Sequence, residues 1–169
     1  FPQAGLKIKA DNVQVQEDES VKINVLKNDN IEDKSNVAIE VVSEPQKGSV
    51  QIEGDKILYI PNADVSGVDK FDYKVDNGLE TGTAQVRVNI NPVNDPPTGL
   101  SLSESTIKEN AAAGTLIGKL KVEDADPDDK FKFGIAKDNR ADFSLDGSNL
   151  LTKRPFDYEE EKSFTVAVQ

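Results

Sequence analysis

Asn91-Pro-Val-Asn-Asp-Pro-Pro97 is the stretch that decides how this chain folds. Its prolines fix φ and remove backbone donors, so no central strand can run through it. It ends one set of strands and leads stiffly into a second; a flexible connection would be rich in Gly and Ser. It also presents an amide and a carboxylate, Asn94 and Asp95, and Asp124-Ala-Asp126 adds a carboxylate pair further along. Hard oxygen donors of this kind are what Ca²⁺ takes, six to eight at a time in flexible geometry.

On the N-terminal side the apolar residues alternate with period two, and no long helical stripe occurs. Ser20-Val-Lys-Ile-Asn-Val-Leu26 puts Val21, Ile23 and Val25 on one face. Gly48-Ser-Val-Gln-Ile52 repeats the pattern, Gly54-Asp55 turns the chain, and Lys56-Ile-Leu-Tyr-Ile60 runs back to Pro61. Phe71-Asp-Tyr-Lys-Val75 alternates strictly, Asp76-Asn-Gly78 reads as a hairpin turn, and Ala84 to Ile90 alternates again. With strands near 13–15 and 37–42, this spacing predicts a seven-strand Greek-key sandwich of immunoglobulin type. After the linker, strands are expected near 100–102, 115–122, 131–135, 143–145, 150–152 and 164–168. The expected fold is therefore all-β. Two tandem sandwiches occupy 1–91 and 98–169, joined by a linker over 92–97, and the second lacks its last strand.

Composition narrows the function. The 169 residues contain no Cys, His or Met. Without Cys there are no disulfides, zinc–thiolate sites or thiol nucleophiles, and zero Cys leans toward a bacterial exported protein. Without His the Ser-His-Asp arrangement and the commonest general base are gone. A formal net charge of −11 disfavours a nucleic-acid partner. No apolar run reaches the length of a transmembrane helix, and the N-terminal stretch does not look like a signal peptide. The chain is expected to be a piece of a longer exported protein, and not an enzyme.

From residue 98 onward the sequence resembles a cadherin repeat. The resemblance is carried in order by Ile107-Lys-Glu-Asn110 with Gly114-Thr115, Val122-Glu-Asp-Ala-Asp126, Phe143-Ser-Leu-Asp146 with Gly147 and Leu150, and Phe156-Asp-Tyr-Glu159. Residues 10–97 resemble the cadherin-like repeats that stand in tandem in large bacterial surface adhesins, such as RTX-type extender regions. There the matching elements are Val15-Gln-Glu-Asp18, Ile23-Asn-Val-Leu26, Asn28-Asp29, Gly67-Val-Asp-Lys-Phe-Asp-Tyr73, Asp76-Asn-Gly78 and Pro92-Val-Asn-Asp-Pro96.

The resemblance implies calcium at the junction. The ligand set it carries over is Glu17, Asp69, Asn94, Asp95, Asp124 and Asp126, with backbone carbonyls at Val93 and Pro96. Glu109, Asp157 and Glu159 match a partial downstream set. Pro127-Asp-Asp-Lys130 departs from the family pattern after the Asp-x-Asp pair, so two ions are expected and not three. The implied function is a calcium-rigidified extracellular module of a cell-surface adhesin, acting as spacer or adhesive element, with neighbouring repeats as partners. The alternative is a carbohydrate- or protein-binding module of a secreted protein, and a surface glycan or protein is its partner. That reading wants exposed aromatic platforms; there is no Trp, and Tyr59, Tyr73 and Tyr158 are the only polar aromatics. Paired-carboxylate glycoside hydrolysis would have to use Asp157, Glu159, Glu160 and Glu161, with no aromatic cleft in sight.

Overall fold

A computed structural model describes residues 5–32, 34 and 36–169; residues 1–4, 33 and 35 of the expected first module lie outside them. The described residues form strands and turns with no α-helix, as the alternation predicts. The chain divides into two compact units, Phe1–Val93 and Asn94–Gln169.

The first unit carries seven strands: β1 (Asp11–Gln16), β2 (Val21–Ile23), β3 (Ala38–Ser43), β4 (Gly48–Glu53), β5 (Lys56–Pro61), β6 (Gly67–Asp76) and β7 (Thr81–Asn91). One sheet has the order β1-β7-β6-β3 and the other β2-β5-β4. All pairings are antiparallel except β1 with β7, which run parallel from Asp11 opposite Val86 to Gln16 opposite Asn91. Val15, Ile57, Tyr59, Phe71, Tyr73, Val75, Val86 and Val88 fill the space between the sheets. The alternation in Phe71–Val75 and Val86–Ile90 is thus the inward face of β6 and β7.

Turns follow their residues. Gly54, at φ 63, is the first residue of the two-residue loop between Glu53 and Lys56. The β6–β7 hairpin closes with a four-residue loop between Asp76 and Thr81. Asp76 Oδ1 accepts from Gly78 N (2.7 Å), and Asn77 Oδ1 accepts from Leu79 N (3.0 Å) and Glu80 N (2.8 Å). These Asx contacts satisfy the loop's own donors.

The second unit holds β8 (Gly99–Leu102), β9 (Leu116–Glu123), β10 (Phe143–Asp146) and β11 (Asn149–Thr152), in the sheet order β10-β11-β9-β8. Ile117, Ile135, Phe143, Leu150 and Phe156 make its core, with Phe164 and Val166 packed against it. The strands expected near 131–135 and 164–168 reduce to a single antiparallel bridge, Ile135 with Val168. The reason is a side chain. Asn139 donates Nδ2–H to Thr165 O (2.9 Å) and accepts from Ala167 N (3.0 Å), taking the place of further backbone rungs. Phe164, Val166 and Val168 still alternate inward along this segment.

Candidate metal centre

Asp124 and Asp126 follow the end of β9, where the chain leaves the sheet and its backbone no longer has ladder partners. Asp124 Oδ1 accepts from Asp126 N at 2.9 Å, which curls the segment. Asp126 Oδ2 accepts from Asp95 N at 2.6 Å, tying the linker residue to the pair. Asn94 Nδ2 donates to Asp95 O at 3.0 Å. Within the second unit, then, the linker acid and the Asp-x-Asp pair come together.

A third carboxylate joins them. Asp126 O accepts from Asp129 N at 3.3 Å, and the turn has Pro127 at its second position, where a fixed φ suits it. This turn folds Asp129 back, so that Asp124, Asp126 and Asp129 each offer a carboxylate oxygen within 4.8 Å of the others. Two oxygens that each lie about 2.4 Å from one ion stand at most about 4.8 Å apart, so the group fits a shared Ca²⁺. Sequence reasoning missed Asp129, because Pro127-Asp-Asp was read only as a departure from a pattern.

The electrostatics of the group are unbalanced. Asp124 Oδ2 is buried and has no hydrogen-bond partner. None of the three acids forms an ion pair among the described residues, whose ion pairs lie elsewhere, at Lys22–Glu53, Lys74–Glu40 and Arg154–Asp142. Three carboxylates with one buried oxygen left unpaired make a donor set that could hold a hard cation.

The first unit uses its predicted ligands differently. Asp69, 4% exposed, is saturated by protein donors. Its Oδ1 accepts from Gln46 N (3.0 Å) and Lys70 N (2.9 Å), and its Oδ2 from Lys47 N (2.8 Å) and the Tyr59 hydroxyl (2.7 Å). Burial alone would raise its pKa. The Tyr59 hydroxyl and the three backbone N–H groups outweigh that and hold it below the usual carboxylate range. Glu17, 5% exposed, accepts from Val93 N through Oε1 at 2.6 Å, while its own N–H donates to Asn91 O at 2.9 Å. It fastens the end of β7 to the end of β1. Nearby, Asp64 N donates to Asp18 Oδ1 at 3.1 Å, and both residues adopt positive φ.

The downstream set is looser. Asp157 Oδ1 accepts from Glu159 N at 2.8 Å, and Asn110 N donates to Phe156 O at 2.8 Å, which brings the Glu109 and Asp157 segments side by side. Glu109, Asp157 and Glu159 are exposed, and they are not among the close three-carboxylate groups of the described residues.

Sheet order, core and this acid-bearing strand end define a cadherin-like β-sandwich repeat. Residues 4–91 match the family described as Bacterial Ig domain, and the chain belongs to that family. It is similar to protocadherin alpha-2 of Homo sapiens, 34% identical over 98 residues, covering 52% of this chain and 10% of that protein. It is also similar to cadherin-24 of Mus musculus, 28% identical over 148 residues, covering 75% of this chain and 18% of that protein. The chain thus spans roughly a tenth to a fifth of these relatives' length. Among solved structures, extracellular cadherin domains 3-6 of protocadherin gamma B2 superpose with TM-score 0.63 at 14% identity, covering 97% of this chain and 42% of that one. A human CDH23 fragment, EC21-23, gives TM-score 0.59 at 17% identity, covering 89% and 62%. These structural likenesses speak for the fold. The matched family, a Bacterial Ig domain, is not an enzyme family.

Proposed function

We propose that this chain is a calcium-rigidified pair of repeats from a large, exported, bacterial cell-surface adhesin of the tandem-repeat kind, acting as spacer or adhesive element. In this reading 1–91 and 98–169 are the repeats and 92–97 is the calcium-binding linker. The observation that carries it is the buried, unpaired Asp124 Oδ2 inside the Asp124–Asp126–Asp129 group. Asp124, Asp126 and Asp129 hold the ion, with Asn94, Asp95 and the Pro96 carbonyl supplying further oxygens from the linker. Ca²⁺, when bound, supplies the positive charge that lets three carboxylates share one small volume.

Glu17 and Asp69 serve this function indirectly. Glu17 fixes the linker backbone at Val93, and Asp69 locks the turn at Gln46–Lys47 against β5 and β6. With four donors already on its oxygens, Asp69 is left out of the proposed ligand set. Extracellular calcium modules bind at roughly 10⁻⁴ to 10⁻³ M, so such a site fills outside a cell and empties inside it.

The carbohydrate-binding reading draws no support from Tyr59 or Tyr73. Tyr59 and Tyr73 are fully buried, which leaves Tyr158, 55% exposed, as the one tyrosine open to a sugar. Titration calorimetry with CaCl₂ tests the proposal, using the intact chain beside Asp124→Asn and Asp126→Asn. Millimolar-range binding that both substitutions abolish supports it, and an intact chain that takes up no calcium sinks it.

A further inference from the structure

We propose that Asp11 and Asp29, in the first unit and distinct from every acid assigned above, form a proton-binding pair that fastens the segment 6–11 to the unit under mildly acidic conditions. The geometry is one of too many acceptors. The Tyr73 hydroxyl, on a fully buried side chain of β6, lies 2.9 Å from Asp11 Oδ2, 3.1 Å from Val25 O and 3.3 Å from Lys9 O. A phenol has one hydrogen to donate, so three oxygens compete for it. Asp29 adds a further surplus. Its Oδ1 accepts from Lys9 N at 2.8 Å, while its Oδ2 is buried with no partner. One proton on the pair supplies the donor that this cluster lacks.

The surroundings favour that proton. Burial pushes Asp11 up to about 6; the Tyr73 hydrogen bond opposes the rise and the charge on Asp29 adds to it. Burial raises Asp29 as well, against the Lys9 backbone N–H and the Lys34 and Lys9 charges. Lys34 also spends its ammonium on Leu26 O, at 3.3 Å. The charged and titratable groups facing the pair are therefore Tyr73 from β6, Lys9 from the preceding segment and Lys34 from the following loop.

The pair sits where two stretches of chain are stitched together. Lys7 and Asn30 exchange backbone hydrogen bonds (3.1 and 3.0 Å), and Asn28 Nδ2 donates to Ala10 O (2.9 Å). With both acids ionised, two like charges push apart the segments that these bonds join. With one proton bound, the repulsion ends and the clasp tightens.

Carboxyl-detected NMR titration of the whole chain in EDTA reads this directly. The Asp11 midpoint should lie near 6, against about 3.9 for an ordinary Asp. Asp29→Asn should lower it by removing the like charge, and Tyr73→Phe should raise it by removing the donor that favours the anion. Amide exchange at Lys7, Lys9 and Asn30, corrected for its intrinsic pH dependence, should slow by severalfold below the midpoint. An ordinary midpoint, or one that Asp29→Asn leaves unmoved, overturns the proposal. So does a midpoint that falls by more than a unit when millimolar calcium replaces EDTA, because a metal ion would then be the pair's occupant.

Discussion

Tyr59 donates its hydroxyl to Asp69 Oδ2 at 2.7 Å inside the first unit, where the tyrosine is fully buried and the aspartate nearly so. This bond links β5 to β6 through side chains, while the same carboxylate holds Gln46 and Lys47 ahead of β4. One ionised group thereby organises three segments of the first unit. A buried carboxylate is tolerated here because every lone-pair direction has a donor.

Tyr59→Phe removes one of those donors while keeping the ring, which stacks on Phe71 at 6.3 Å. The expected loss is about 1–3 kcal/mol, the cost of leaving a buried acceptor short of a partner. Urea unfolding should show a lower midpoint with an unchanged slope.

Acid should weaken the first unit through the same carboxylate. The folded-state pKa of Asp69 lies below its unfolded value, so its contribution is complete above about pH 4 and is lost as pH falls through the folded pKa. Asp11 acts in the opposite sense. Its folded value, about 6, exceeds the unfolded one, so the folded chain holds the extra proton and stability declines as pH rises from about 4 through 6. Urea midpoints measured from pH 2 to 7 should flatten on the acid side in Asp69→Asn and on the neutral side in Asp11→Asn.

Gly48 opens β4 opposite Pro61 of β5. A Cβ there would meet Ile60 O at 2.5 Å and the Tyr59 ring and hydroxyl at 2.7 Å. Gly48→Ala should cost about 1–3 kcal/mol by overpacking. It should also displace Tyr59 from Asp69, read as a change in the tyrosine near-ultraviolet circular dichroism signal.

Calcium should raise the melting temperature of the second unit. A ligand at ten times its Kd stabilises the folded state by about 1.4 kcal/mol. Asp129→Asn should weaken the effect and Asp124→Asn should remove it, with the chelated proteins melting close together. Superimposable melting curves in CaCl₂ and EDTA would count against the proposed metal centre.

Strands with strict alternation were legible from the sequence because each residue needs only its own face. Phe71, Tyr73 and Val75 are buried on β6 as their spacing implies. Features that depend on distant partners were not. Asp69 reads as a strand-borne acid, and nothing local reveals that Gln46 and Lys47 fold onto it. Phe164-Thr-Val-Ala-Val168 alternates like a full strand, yet before the Ile135–Val168 bridge the side chain of Asn139 stands in for backbone rungs at Thr165 and Ala167. Asp129 looks like a solvated loop acid until the Asp126–Asp129 turn returns it to Asp124.

The parallel pairing of β1 with β7 sets how the first unit would bear a load. The two strands run in the same direction, so tension applied at the start of β1 and the end of β7 pulls them past each other along their length. The hydrogen bonds joining Asp11–Gln16 to Val86–Asn91 are then strained together and must fail together, whereas a hairpin pulled open at its end gives way one rung at a time. Glu17 extends that seam by one backbone bond to Asn91 and one side-chain bond to Val93. Tensile strength in this unit is thus concentrated in a single shear seam between its first and last strands.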